Sequence, residues 1–238
     1  MQYCVNQKRY IVMPLFPLYM EHWLQGGPFL EVSFILENNS QRNKFIKDFL
    51  NKLKKIPQKF QIKTNNIDTE IDKFSKGYPY DENDSNTYQI HSMEISLLIN
   101  ISGERKSQIY FEEISDKTIQ VNFYFFGSEL DAPEWNQKGI KDSDMPEFTE
   151  FLSSLYRVFE FPIGAISVEN DCLLLFFDCD ETWPNECYKL NNIDLEKTIK
   201  NIKKSYIIEC LFDFEFFKIK NIPTSFKTIG KRGILIKK

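Results

Sequence analysis

The chain has 238 residues, of which 42% are hydrophobic and 27% are charged, a composition typical of a globular protein with a sizeable core. Its formal net charge of −4 argues against nucleic acid as a partner, because binding to phosphate groups needs a basic face. No apolar run reaches the ~18 residues of a membrane helix, and the five cysteines, an odd number, predict reduced thiols in the cytoplasm.

The first predicted elements are a strand and a helix. Apolar side chains at every second position over residues 30–36 are typical of a strand. Ser40 can cap the helix that follows, in which Phe45, Phe49 and Leu53 recur at four-residue intervals. That spacing places the three side chains on one face, which we expect to pack on the sheet.

The middle of the chain has the clearest strand pattern. Residues 76–87 (KGYPYDENDSNT) are polar and predict a mobile loop or a link to a subdomain. Apolar side chains then alternate with polar ones over 95–101, 109–111 and 119–125, with short turn-like pieces between them. The pattern predicts an antiparallel meander over about 94–126 with one buried face.

After the meander, the sequence predicts a helix and a hairpin. Asp144 can cap the helix with Glu147 at its third position, an arrangement that resembles a capping box. A strand at 163–168 is predicted to pair with a strand at 172–177 through a tight turn at 170–171, where asparagine and aspartate tolerate positive φ.

The last part of the chain predicts a third helix at 194–204, a long strand at 208–216 and a final strand at 234–236. Strands and helices do not alternate regularly, which favours an α+β fold over an α/β fold. We therefore expect a single domain over 1–238, with three amphipathic helices packed on an antiparallel sheet, and any subdomain link at 76–87.

Charge is distributed unevenly along the sequence. Residues 129–181 contain 13 acidic residues and 3 basic ones, whereas no acidic residue follows Glu215. The sequence therefore predicts an acidic region and a basic tail. Because apolar residues are interleaved with the lysines of the tail, we interpret the tail as packed structure rather than a nucleic-acid arm.

The acidic region contains a candidate partner-binding loop, residues 127–144 (GSELDAPEWNQKGIKDSD). It lacks periodicity and is too long for a hairpin turn, and long loops in compact domains are often functional. Trp135 lies there among Glu129, Asp131 and Glu134, so a basic partner would gain burial from the ring and attraction from the carboxylates. The alternative is that Trp135 packs on the core and the acids only solvate the loop.

A second candidate partner-binding patch consists of Asp178, Asp180, Glu181 and Trp183. Carboxylates at the end of an apolar stretch also suit Mg²⁺, which prefers oxygen ligands, so a hydrolase that uses Asp178 and Asp180 is an alternative. The two histidines lie in no recognisable nucleophile–base motif, and the sequence has no phosphate-binding loop or zinc-protease motif. We therefore predict no catalytic residue, no cofactor and no metal.

Two stretches of the sequence are NFYFFGSELDAPEWNQKGI and, further along, FEFPIGAISVENDCLLLFFD. They resemble stretches of bacterial proteins encoded beside polymorphic toxins, that is, immunity proteins. The resemblance implies a cytoplasmic inhibitor that binds and blocks one toxin domain and has no catalysis of its own. An acidic inhibitor would suit a basic nuclease toxin, since complementary charge speeds association.

Three hypotheses for function therefore stand side by side. The first is an immunity-type protein whose partner is a cognate toxin, the second is a structural or adaptor module without inhibitory role, and the third is a Mg²⁺-dependent hydrolase. No membrane partner is expected, and the charge argues against nucleic acid.

Overall fold

The structure is a computed structural model that describes residues 24, 29–84, 86–125, 141, 143–169, 172–176, 188–194, 198–199, 202, 207–219 and 226–237. The strands are β1 (Leu30–Glu37), β2 (Phe60–Ile62), β3 (Tyr78–Pro79), β4 (Gln89–Ile90), β5 (Ser92–Asn100), β6 (Glu104–Ser115), β7 (Thr118–Phe125), β8 (Ile163–Val168), β9 (Ile207–Asp213), β10 (Lys227–Ile229) and β11 (Gly233–Lys237). The helices are α1 (Arg42–Leu53), α2 (Ile67–Lys76) and α3 (Met145–Phe159), and Cys172–Leu175 and Leu190–Asn192 form short 3₁₀ helices.

One antiparallel sheet organises the described residues. It has 9 strands in the order β10-β11-β9-β8-β1-β7-β6-β5-β2, whereas β3 and β4 form a separate hairpin. Neighbouring strands β5, β6 and β7 follow each other directly in the chain, so the predicted meander is confirmed. Strands and helices together give the predicted α+β fold.

All three helices contribute side chains to the core on one face of the sheet. Phe34 of β1 lies at the middle of this core, with its ring stacked on Phe49 of α1, on Phe159 of α3 and on Phe161, at centroid distances of 6.2, 5.7 and 4.7 Å. Stacked and edge-to-face aromatic pairs add to the free energy gained by burial. The phenylalanine-rich composition therefore serves the core, where it joins α1, β1 and α3.

The outer face of the sheet, opposite the helices, has two different halves. Over β8, β9 and β11 it is apolar, and Cys210, Phe212 and Ile234 pack there in one cluster with the 3₁₀ helix Cys172–Leu175. Over β5, β6 and β7 the pairing register turns polar side chains outward, namely Ser92, Glu94, Gln108, Tyr110, Glu112, Gln120 and Asn122. The alternation of the meander sequence predicts this polar half, because apolar side chains at every second position leave polar ones on the opposite face.

The start of α1 differs from the prediction. The helix begins at Arg42 with Gln41 at the N-cap position, and no side chain caps it. The predicted cap, Ser40, instead donates its hydroxyl to Asn38 Oδ1 at 3.1 Å. The apolar stripe is confirmed, since Phe49 and Leu53 are buried in the core.

The predicted capping box of α3 is also not formed. Asp144 occupies the N-cap position, but its carboxylate accepts a hydrogen bond from Arg105 Nη2 at 2.8 Å. Glu147 accepts a hydrogen bond from the backbone N–H of Ser102. Both carboxylates thus bond to the β5–β6 connection, one to Ser102 in the turn and one to Arg105 in β6, and neither caps its own helix.

The predicted hairpin between 163–168 and 172–177 is wrong. Strand β8 is present, but β1 pairs with one of its edges and β9 with the other, so no edge remains for residues 172–175. These residues form a 3₁₀ helix in which Cys172 Sγ lies 3.0 Å from Ser33 Oγ of β1. Local turn chemistry indicated a hairpin, and the tertiary pairing of β8 prevented it.

The late strand is shorter than predicted. It ends at Asp213 instead of continuing to 216, because the Asp213 carboxylate accepts hydrogen bonds from the backbone N–H groups of Glu215 and Phe216 at 2.9 and 3.0 Å. Such a bond offers the backbone an alternative to the strand ladder. The final strand is confirmed as β11.

Helix α2 was not predicted, although Ile71 and Phe74 on it are buried. Of the predicted third helix at 194–204, the structure describes residues 194, 198–199 and 202, and the last three have helical backbone. None of the helices in the described part of the chain is both long and apolar enough to cross a membrane.

Candidate binding surface

The residues that the sequence indicated as partner-binding lie outside the described ranges. These are Glu129, Asp131, Glu134, Trp135, Asp178, Asp180, Glu181 and Trp183. Both patches, and the Mg²⁺ alternative, therefore stay predictions. Within the described ranges, no group of three or more histidine, cysteine, aspartate or glutamate side chains is arranged to hold a metal ion.

A different surface feature lies where the sequence predicted a mobile loop. Strands β3 and β4 and the turn between them form a hairpin over residues 78–90, which we call the tyrosine hairpin. Tyr78 pairs with Ile90, and the backbone N–H of Tyr80 donates to the carbonyl of Tyr88 at 2.9 Å. Because side chains two positions apart on a strand share a face, this register gathers the three tyrosines on one side.

The turn of the tyrosine hairpin is held by its own aspartates. Asp81 Oδ1 accepts the backbone N–H of Asn83 at 2.9 Å, and Asp84 Oδ1 accepts that of Asn86 at 2.9 Å. The backbone N–H of Asp81 donates to Thr87 Oγ1 at 3.1 Å across the turn. Asparagine and aspartate side chains stabilise turns by such bonds. The polar composition of this segment therefore builds an ordered turn.

The tyrosine hairpin exposes aromatic rings to solvent. Tyr80 and Tyr88 are each 58% exposed and Tyr78 is 36% exposed, and these three are the exposed large hydrophobic residues of the described part. The turn between them adds three exposed carboxylates, Asp81, Glu82 and Asp84. No lysine or arginine occurs from residue 77 to residue 96. The surface is therefore both aromatic and acidic.

The junction between α2 and β3 fixes the position of the hairpin. Gly77 ends α2 with φ +72°, and a Cβ added there would lie 2.7 Å from His91 Cε1. The His91 ring donates from Nδ1 to the carbonyl of Phe74 at 2.8 Å, since a carbonyl can only accept. Tyr78 shares a hydrogen bond of 3.1 Å between its hydroxyl and Ser92 Oγ. The hairpin is thus joined both to α2 and to the outer face of β5.

Next to Tyr78, the outer face of β5 and β6 carries a group that we call the polar strip. Its members are Ser92, Glu94, Gln108, Tyr110 and Glu112. Glu94 lies directly opposite Tyr110, and Ser92 lies directly opposite Glu112. Directly opposite residues on one face of an antiparallel pair have Cβ atoms about 5 Å apart. The polar strip therefore continues the tyrosine hairpin onto the sheet.

Glu94 has an unusual electrostatic setting within the polar strip. Burial raises the pKa of its carboxyl group to about 7, while a hydrogen bond from the Gln108 side-chain amide partly opposes this shift. No lysine or arginine of the described residues contributes to this shift or pairs with Glu94. Burial also raises the pKa of Tyr110 and, less strongly, that of Tyr78. Glu94 is thus a half-buried acid to which the described residues offer no countercharge.

Asn122 of β7 lies directly opposite Tyr110 on the same face. Its Nδ2 donates to Glu31 Oε2 and to the Tyr124 hydroxyl, both at 3.1 Å, which fixes the orientation of the amide because a carboxylate can only accept. Asn122 Oδ1 and Gln120 Nε2 are buried and find no hydrogen-bond partner among the described residues. Buried polar atoms without a partner cost free energy.

An open cavity of about 540 Å³ lies elsewhere, between the start of α3 and the end of β5. Two of its lining residues are carboxylates, but both already have partners. Glu147 accepts from the Ser102 N–H, and Glu150 pairs with Arg157 at 2.6 Å. Arg157 and the other partners lower the pKa of Glu150. Ligand groups would have to displace these contacts, so the tyrosine hairpin and the polar strip are the better candidate.

Comparison with protein-family models, with curated proteins and with solved structures finds no match to this chain.

Sequence reasoning missed this surface, although a signal for it was present. The letters YPY and TYQI flank the turn-forming letters DENDSN, and tyrosines around a turn are typical of a hairpin. The stretch was interpreted as a loop because its strands contain only two paired residues each, which is too short for an alternating pattern to stand out.

Proposed function

We propose that this protein is a non-catalytic binding protein of the immunity type, which binds and blocks a basic toxin domain. The observation that carries the proposal is the tyrosine hairpin, whose rings of Tyr80 and Tyr88 are each 58% exposed beside three carboxylates. Exposed large aromatic residues that lie together are typical of a surface that a binding partner covers.

The chemistry of the hairpin fits a protein partner. Tyrosine is enriched among residues that dominate binding energy, because its ring buries a large area at low entropic cost and its hydroxyl can hydrogen-bond. The hydrogen bonds around Asp81 and Asp84 hold the turn in place before binding. A pre-ordered surface loses less entropy on association than a flexible one.

The charge of the hairpin favours a basic partner. Asp81, Glu82 and Asp84 are exposed, and neither lysine nor arginine lies in the surrounding sequence from 77 to 96. Complementary charge raises the association rate and disfavours acidic proteins. A toxin that acts on nucleic acid needs a basic face to hold phosphate groups, so covering that face would block it.

The test uses a toxin domain encoded next to the gene of this chain. Co-expression of the wild-type chain should restore growth of cells that produce the toxin domain, and calorimetry with the two purified proteins should detect binding. The double substitution Tyr80→Ala and Tyr88→Ala should weaken binding by about 100-fold or more and abolish growth rescue, since each aromatic anchor contributes about 2 kcal/mol.

The matched control is Glu104→Ala, at the start of β6. Glu104 is exposed, like the hairpin residues, but it pairs with Asn100 at the far end of β5 from the hairpin. This variant should bind and rescue as the wild type does. Absence of both binding and rescue with the wild-type chain would contradict the proposal. Full rescue by the double variant would show that the docking surface lies outside the hairpin.

A further inference from the structure

The polar strip adds a specific site to the surface formed by the tyrosine hairpin. We propose that an arginine or lysine side chain of the partner docks on the polar strip, with its charge on Glu94 and its stem along the ring of Tyr78. This inference rests on the proposed function, because it names the chemistry that the partner brings to the same surface.

Glu94 has no countercharge among the described residues. It is half-buried, and within this part of the chain its side chain bonds to the Gln108 amide and to no cation. Removing a carboxylate from water without a positive charge nearby is unfavourable, which is why burial raises the pKa of Glu94 to about 7. A guanidinium or ammonium group placed against this carboxylate would supply a charge that the described residues do not provide.

The geometry around Glu94 also suits a basic side chain. Tyr110 lies directly opposite it, and the Tyr78 hydroxyl shares a hydrogen bond with Ser92, two residues before Glu94 on the same face of β5. Tyr78 is 36% exposed, so part of its ring is available to a partner. Cations attract the faces of aromatic rings, and the long stems of lysine and arginine cover apolar surface. Aromatic walls and a carboxylate together suit a long basic side chain.

Among the described residues, the titratable groups next to Glu94 do not compete with a cation of the partner. They are Tyr78 of the hairpin and Tyr110 and Glu112 of β6. The exposed carboxylates of the hairpin turn lie in the same chain segment, between Tyr80 and Tyr88. Lys106 is on the same face of β6 but two residues before Gln108, so neutral and acidic groups immediately surround Glu94 and favour a basic side chain.

The experiment compares wild type with Glu94→Gln, which keeps the shape of the side chain and removes its charge. Calorimetry with the neighbouring toxin domain should give about tenfold weaker binding for Glu94→Gln at pH 8, as expected for the loss of one partly buried charge pair. The wild type should bind more tightly at pH 8 than at pH 6 and release protons on binding, because the partner's cation favours the ionised Glu94. Glu94→Gln should lose most of this pH dependence.

Two further measurements make the result decisive. Glu104→Gln should bind as the wild type does at both pH values, and neutralising single arginines or lysines of the toxin domain should reveal one whose effect disappears in the Glu94→Gln background. Equal binding by wild type and Glu94→Gln at pH 8 would overturn the inference while leaving the proposed function intact. No binding by the wild type would overturn the proposed function and this inference together.

Discussion

Glu94 is a carboxylate whose properties are set by the strand that carries it and by the strand beside it. The alternation of β5 turns it away from the core, and the pairing with β6 brings Gln108 and Tyr110 next to it. Burial raises its pKa to about 7 against the opposing hydrogen bond from Gln108, so the folded protein holds this proton more tightly than the unfolded chain does. Stability must then depend on pH through this residue.

The first prediction concerns that dependence. The folded pKa of about 7 lies above the ordinary value of 4.5, so the contribution of Glu94 to stability is fully present below pH 4.5 and is lost as pH rises to about 7. Glutamine at this position imitates the protonated acid. Glu94→Gln should therefore match the wild type near pH 4.5 and exceed its free energy of unfolding by roughly 1–2 kcal/mol at pH 8.

Urea denaturation at a series of pH values measures this difference. The difference between the two proteins isolates Glu94, because the contributions of all other carboxyl groups cancel. A difference that stays constant between pH 4.5 and pH 8 would contradict the raised pKa.

At the scale of elements, the junction of α2 and the tyrosine hairpin is the joint that positions the candidate surface. Gly77 accepts the positive-φ conformation that ends α2, and its missing Cβ leaves room for the His91 ring and for the carbonyl of Ile90, whose oxygen would lie 2.9 Å from an added Cβ. The same ring bonds to the carbonyl of Phe74 at the end of α2. Helix, hairpin and β5 therefore share one tightly packed corner.

The second prediction follows from this corner. Gly77→Ala should lower the free energy of unfolding by about 2–4 kcal/mol, because alanine is strained at positive φ and its Cβ would also overlap His91. Gly103→Ala is the matched control, since Gly103 has φ +103° but a Cβ there would meet no atom within 4 Å. The control should cost about 1–2 kcal/mol, from backbone strain alone. Equal losses in chemical denaturation would show that packing against His91 has no effect.

The exposure of the hairpin tyrosines predicts that they can be changed without unfolding the protein. Tyr80 and Tyr88 contribute little to the core, because more than half of each side chain faces solvent. Replacing both by alanine should leave the unfolding midpoint within about 2 °C of the wild type, as expected for surface substitutions. This thermal scan accompanies the binding experiment and separates loss of docking from loss of fold.

For the whole molecule, β1 is the central feature. It lies fifth in the order of nine strands, and its two faces contribute to two separate hydrophobic clusters. Phe34 packs in the cluster under the helices, and Ile35 packs in the cluster on the outer face with β8, β9 and β11. Both clusters therefore depend on the same strand, which predicts that they fold together as one domain.

The third prediction tests this cooperativity. Phe34→Leu and Ile35→Val should each lower the free energy of unfolding by about 1 kcal/mol and shift a single transition. Tyrosine and tryptophan fluorescence and far-ultraviolet circular dichroism should report the same midpoint. Two separate transitions, with one moved by each substitution, would contradict the prediction of a single domain.

Sequence periodicity was sufficient to predict a strand or helix wherever burial of one of its faces stabilises it. Alternation over 95–101, 109–111 and 119–125 predicted β5, β6 and β7, and the four-residue spacing of Phe45, Phe49 and Leu53 predicted the buried stripe of α1. Both patterns follow from local geometry, because a strand or a helix that buries one face must repeat its apolar residues with its own period.

The remaining features depended on contacts between residues far apart in the chain. Residues 172–175 have a sequence suited to a strand, yet β1 and β9 already occupy both edges of β8. Asp144 and Glu147 have the spacing of a capping box, yet their carboxylates accept hydrogen bonds from Arg105 and from the Ser102 backbone N–H. The sequence by itself thus determined the class of fold and its polar and apolar faces. The tertiary structure decided which strand edges were already paired and which carboxylates were already hydrogen-bonded. It also placed Tyr78 and Tyr110 near Glu94, because these contacts join residues that only the folded chain brings together.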